Sequence, residues 1–243
     1  FMLHIPIFCE LLDIPWPATF MREGSALESV RFHPAKLSVL DFSAYQVFAP
    51  PNICAAAPKR QAEFLAGRVC AQRAFHRLSQ QFATPSQSSD GLPCWPDGVT
   101  GSITHSSGLA CAIVAHSSRF RGLGLDVEKR LNDEQGHELH AAILEPCELQ
   151  CLTACHLGRS LGEAVALAFS LKESLFKALY PLVHTFFGFE DAEIIQCDAL
   201  GRATLRLRRD LSVEWPQHSE FAAHYFHFED FVGCLVAIEA DQR

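Results

Sequence analysis

Two long helical tracts, each accompanied by short strand-like runs, constrain the fold of this chain more than any other feature. Residues 58–82 carry Phe64, Ala71, Phe75, Leu78 and Phe82 at helical spacing, and Pro58 suits a first turn. Residues 161–180 carry Val165, Leu171, Leu175 and Leu179 on one face. Ser160 and Glu163 give that tract a capping-box start, and Pro181 is expected beyond its end. Residues 101–105, 109–115, 122–128, 203–207, 221–228 and 231–239 read as strands, and 133–156 as further helix. A break near Ser117–Arg121 divides the chain into halves, 1–118 and 119–243. Each half then holds helices and a small, mainly antiparallel sheet, which makes the chain α/β (α+β) with a loosely repeated theme.

Composition narrows the function classes. Twenty basic against twenty-eight acidic residues leave a formal charge of −8, which argues against a general nucleic-acid binder. No stretch reaches the length of uncharged apolar sequence that a membrane span requires, and no signal peptide is read, because Glu10, Asp13 and three prolines interrupt the apolar N-terminal residues. Ten cysteines without a CxxC pair fit reduced thiols in a cytoplasmic protein. Cys147, Cys151 and Cys155, followed by His156, admit two readings: a buried apolar stripe, or a site for zinc or an iron-sulfur cluster. The basic residues cluster at 59–77 and at 202–209, either as solvated faces or as local positive surface.

Three segments carry chemistry. In Gly124-Leu125-Asp126-Val127-Glu128 the two-residue period of a strand aims both carboxylates at one face. Two oxygens offered together suit magnesium completed by substrate phosphates, or simply a strand end entering solvent. Phe169, Glu173 and Lys177 share a helical face, and Lys172 and Ser174 enlarge the polar group, so this face is either a surface ion pair or the wall of a polar cleft. In Gly101-Ser102-Ile103-Thr104-His105-Ser106, hydroxyls and a histidine stand where donors can meet a phosphate, although a lone histidine is more often structural.

Read in order, Gly-Ser-Ile-Thr-His-Ser, Gly-Leu-Asp-Val-Glu and Phe-Ser-Leu-Lys-Glu-Ser-Leu-Phe-Lys resemble the 4′-phosphopantetheinyl transferase family. Lys59 to Arg68 and Pro93-Cys94-Trp95-Pro96 are similar to its enterobactin-synthase-type branch and the pseudomonad relatives of that branch. The resemblance covers about 59–181. It implies two similar halves packed as an intramolecular pseudo-dimer, with the N-terminal half binding the coenzyme A nucleotide and the C-terminal half holding magnesium, catalytic residues and the docked carrier. It further implies a monomer that moves phosphopantetheine from coenzyme A to a serine of an acyl or peptidyl carrier protein. Residue by residue, it makes Asp126, Glu128 and Glu173 the magnesium site, Lys177 a catalytic group near the pyrophosphate, and Glu173 a base, a ligand or both. Thr104 and His105 would contact coenzyme A phosphates, and Arg68, helped by Arg60, its 3′-phosphate end. Many relatives have a lysine where this chain has Leu92, so that contact is absent or supplied elsewhere. Arginine-rich surface is expected to meet the acidic carrier.

Overall fold

A computed structural model describes residues 4–154 and 160–240. The chain divides into two units, one running to Phe120 and including Ala240, the other Arg121–Glu239. The first unit contains β1 (Cys9–Leu11), β2 (Ser25–Phe32), α1 (Val39–Ala44), α2 (Pro51–Cys54), α3 (Pro58–Ser79), β3 (Ser86–Gln87), β4 (Pro93–Cys94), β5 (Val99–Ser106) and β6 (Leu109–His116). Its main sheet has the order β1-β2-β6-β5 and is antiparallel throughout, with α3 lying against β2, β5 and β6. Leu65, Ala66 and Val69 of α3 meet Val30, Phe32, Ala110 and Ala112 of the sheet in one apolar core. β2, a central strand, carries no motif by which its sequence stood out; only its pairing with β6 makes it one.

α3 begins at Pro58 as expected but stops three residues before Phe82, because Gln80 turns the backbone into the left-handed region. Phe82 therefore leaves the core face and stacks on the His76 ring instead.

The second unit takes in nearly all of β7 (Phe120–Lys129), followed by α4 (Asp133–Ile143), α5 (Pro146–Ala154), α6 (Leu161–Val183), β8 (Ala192–Cys197), β9 (Arg202–Leu207), β10 (Glu220–Phe228) and β11 (Phe231–Glu239). The sheet order is β7-β11-β10-β9-β8, and α6 packs on it through Leu171, Leu175 and Leu179. The helical stretch expected over 133–156 is two helices. Leu144 is extended and Pro146 disfavours helical backbone in the residue before it, so the chain breaks there and restarts. α6 runs through Pro181 to Val183 rather than ending before the proline. Pro181 cannot bond the Lys177 carbonyl, a cost that is tolerated in a last turn closed by the left-handed His184, whose N–H donates to Tyr180 O. Among the described residues no helix is long and apolar enough to cross a membrane.

Candidate active site

In the second unit the site is built by glycine. A Cβ on Gly124 would stand 1.7 Å from the Ser174 carbonyl oxygen, and one on Gly122 would stand 2.3 Å from that of Ala178. These absent side chains let the α6 backbone rest on β7. The strand alternation then continues the same face with Asp126 and Glu128, which meet α6 without an intervening apolar layer. Asp126 is 2% exposed and accepts a 2.5 Å hydrogen bond from Lys177 Nζ. Burial would lower the Lys177 pKa, but Asp126, Glu173 and Glu128 outweigh it and hold the ammonium above its ordinary value. Burial raises the Glu173 pKa; Lys177 draws it down and Asp126 pushes it up. Three carboxylates from β7 and α6 thus act on one cation, and that cation is the chain's own lysine.

Lys172 and Ser174 do not join this group. Their positions on α6 turn them inward: Ser174 Oγ donates to Cys234 O, and Lys172 is 3% exposed and donates to Ile143 O, Phe189 O and the Glu148 carboxylate. Glu148, fully buried, also accepts from the backbone N–H groups of Glu145 and Ile194. The polar run on α6 is therefore two functions on adjacent faces, an interior clamp and an outward site. Glu148 escaped sequence reading because a single acid between cysteines carries no signature. Beside Glu128 lies a cavity of about 290 Å³ lined by apolar groups, among them Leu139, Ile143, Phe169 and Phe189.

In the first unit, Arg60 Nη1 lies 2.7 Å from His105 Nε2, and Glu63 stands 3.5 Å from Arg60 and 3.7 Å from His105 Nδ1. Glu63 was not singled out from sequence, although its i,i+3 spacing from Arg60 is the signal that finds it. Arg68 is 6% exposed, its Nε has no hydrogen-bond partner, and among the described residues no carboxylate pairs with it. Burial pushes its pKa down to about 10, with Arg60 adding to the fall and Cys94 opposing it; the guanidinium lies 4.4 Å over the Phe64 ring. Thr104 does not share the His105 face. The strand period sends it, with Ser102, into the interior on the opposite side of β5, so it is not gathered with Arg60 and His105. Leu92 lies just before β4, where its carbonyl accepts from Ser88.

The arginines at 202–209 are already engaged: Arg202 with Asp198, Arg206 with Glu193, Arg208 with Glu145 and Arg209 with Asp191. Paired charges project little net field, so of the two readings of this cluster the solvated face is the one the ion pairs support. Cys155 and His156 lie outside the described residues; Cys147 is exposed, Cys151 half-buried, and no metal-holding group of His, Cys, Asp or Glu occurs among the described residues.

Residues 49–115 match the family model of the 4′-phosphopantetheinyl transferase N-terminal domain, and residues 122–234 match that of the 4′-phosphopantetheinyl transferase superfamily. Enterobactin synthase component D of Salmonella typhi is 33% identical over 198 residues, which cover 77% of this chain and 81% of that protein. The chain belongs to the 4′-phosphopantetheinyl transferase superfamily. The 4′-phosphopantetheinyl transferase Svp of Streptomyces mobaraensis is 36% identical over 156 residues, 64% of this chain and 63% of the relative. PptT of Mycobacterium tuberculosis is 34% identical over 155 residues, 62% and 65% of the two chains. The chain thus spans somewhat less than two thirds of the length of these two phosphopantetheinyl transferases. Arg60, Arg68 and His105 fall in the match to the N-terminal domain, and Asp126, Glu128, Glu173 and Lys177 in the match to the superfamily.

Proposed function

We propose that this chain transfers the 4′-phosphopantetheine arm of coenzyme A to a serine hydroxyl of an acyl or peptidyl carrier protein, leaving 3′,5′-adenosine bisphosphate. The observation that carries the reading is the Asp126–Lys177 contact, with Glu173 and Glu128 adding to the negative field on that ammonium, within the segment matched to the superfamily. Hard carboxylate oxygens are the donor chemistry that magnesium takes, and the site already surrounds one cation. Among the described residues no three such side chains already form a ligand set, so an ion held here would take most of its oxygens from substrate phosphate and water. Asp126 and Glu128 would hold magnesium, and Glu173 would add an oxygen only by turning toward it; when bound, the ion would supply positive charge to the phosphate oxygens.

The chain's own groups do the rest. Lys177 offers an ammonium to the charge that grows on the leaving phosphate, and Asp126 fixes its direction. Glu173, half-buried beside them, accepts the serine proton in its ionised form. Arg68, a buried guanidinium without a carboxylate partner among the described residues, is explained by an anionic ligand, and the 3′-phosphate of coenzyme A supplies one. Arg60 and His105 take a further phosphate contact. The apolar cavity at Phe169 is also lined by Glu128, and we read the chain as a cytoplasmic monomer, as the family resemblance implies.

Incubation with magnesium, coenzyme A and purified apo-carriers, one from fatty acid synthesis and one from siderophore assembly, tests the reaction by intact mass. The expected result is gain of one phosphopantetheine on at least one carrier, slowed by at least about a thousandfold in Glu173→Gln. No gain on any carrier, with folded protein and magnesium present, overturns the proposal.

A further inference from the structure

Arg60, Glu63 and His105 form a set in which each group fixes the state of another. A guanidinium carries only donors, so its 2.7 Å contact makes His105 Nε2 an acceptor. An imidazole accepting at Nε2 is neutral and keeps its proton on Nδ1, the nitrogen that faces Glu63. The Glu63 side chain is 15% exposed against 45% for Arg60 and 30% for His105, so the acid is the inner member and the two bases the outer ones. The set assembles because positions 60 and 63 share a face of α3, while β5 turns His105 to the same side as Ile103, whose methyl group meets Gly67 of that helix. β6 opposes His105 with Ala110, and Arg68 is the next cation along α3.

We propose that Glu63 is a positioning residue: it selects the His105 tautomer and steadies Arg60, so that a phosphate of coenzyme A can separate the pair and draw a proton onto His105. This rests on the reading that Arg60 and His105 meet coenzyme A. An ionised phosphate oxygen accepts hydrogen bonds and gives none, so each protein group touching it must donate. Arg60 does so by turning its N–H from Nε2 to the phosphate. His105 Nε2, released, becomes a donor by taking one proton from solvent, and the imidazolium then has phosphate on one side and the Glu63 carboxylate on the other. No other bond forms or breaks. Coenzyme A binding is coupled in this way to proton uptake, and Glu63 sets the extent of the coupling.

Calorimetric titration of coenzyme A into the full chain at neutral pH, in buffers of different ionisation enthalpy, reads the protons exchanged; steady-state transfer to a carrier reads KM and kcat. Wild type is expected to take up roughly half a proton more than His105→Ala. Glu63→Gln, nearly the same size, is expected to lose most of that difference and to raise the coenzyme A KM about tenfold with kcat within about twofold, and Glu63→Asp to recover part of both. Wild-type uptake and KM in a folded Glu63→Gln overturn the role of Glu63, and if that variant does not fold, fully wild-type uptake and KM in Glu63→Asp, whose side chain is one methylene shorter, do the same. Unchanged coenzyme A affinity in both Arg60→Ala and His105→Ala overturns the phosphate-site reading itself, a different failure seen on different variants.

Discussion

α3 and α6 each bury a cation, and the two are supported in opposite ways. Lys172 on α6 has two backbone carbonyls and the Glu148 carboxylate around its ammonium, and although burial lowers its pKa, Glu148 counters that. Arg68 on α3 is almost as deeply buried, yet its strongest neighbouring charge is another arginine, Arg60. A buried charge with its partners inside the protein is part of the fold, whereas one without them leaves a demand that an anion from outside can meet. The helices also seat themselves differently. In the first unit the glycine is on the helix: Gly67 faces the γ2 methyl of Ile103, 2.7 Å from where its Cβ would be. In the second unit the glycines are on the strand and face helix backbone, which brings carboxylates and ammonium into direct contact.

The glycine contrast is broken most sharply by Gly124→Ala. Backbone oxygen cannot retreat from a Cβ at 1.7 Å, so a loss of more than about 4 kcal/mol, or failure of the second unit to fold, is expected in urea denaturation. Gly67→Ala presses only on the Ile103 γ2 methyl, which can shift with its side chain, and is expected to cost about 1–2 kcal/mol by the same measurement. Equal losses at the two positions would remove the distinction.

Next in size is Lys172→Met, which strands the Glu148 carboxylate in the interior and is expected to cost about 3 kcal/mol, much of it restored when Glu148→Gln is added. Arg68→Met is expected to leave stability unchanged or raise it by about 1 kcal/mol while weakening coenzyme A binding roughly 10- to 100-fold by calorimetry. A large stability loss at Arg68 would mean that it is supported as Lys172 is.

The smallest effect is a slope. A carboxyl whose folded pKa is raised binds its proton more tightly in the folded state, so its contribution favours folding at low pH and fades as pH rises from the ordinary carboxylate value through the folded one. In magnesium-free protein, Glu173→Gln is expected to remove that negative slope from the stability measured between about pH 4 and 7. Identical slopes for the two proteins would show that Glu173 is not held as its surroundings indicate.

Much of the site was legible because it rests on local periods. The two-residue repeat put Asp126 and Glu128 on one face, the helical repeat put Glu173 and Lys177 on another, and Pro58 and Ser160 marked the helix starts. The same reasoning failed where a partner distant in sequence decides. Lys172 reads as a neighbour of Glu173 until Glu148 draws it inward; Thr104 reads as a neighbour of His105 until the pleat separates them; β2 and β8 become strands through pairing with β6 and β9. Pro181 reads as a stop, yet the packed turn before it carries the helix two residues further.

By itself the sequence determined which side chains share a face, because 3.6- and two-residue periods are properties of the backbone alone. Which faces meet was decided only by the tertiary structure. The approach of α6 to β7 depends on space left by Gly122 and Gly124, and the Arg60–His105 contact on the meeting of α3 and β5, and such distances arise from packing between segments rather than from spacing within one.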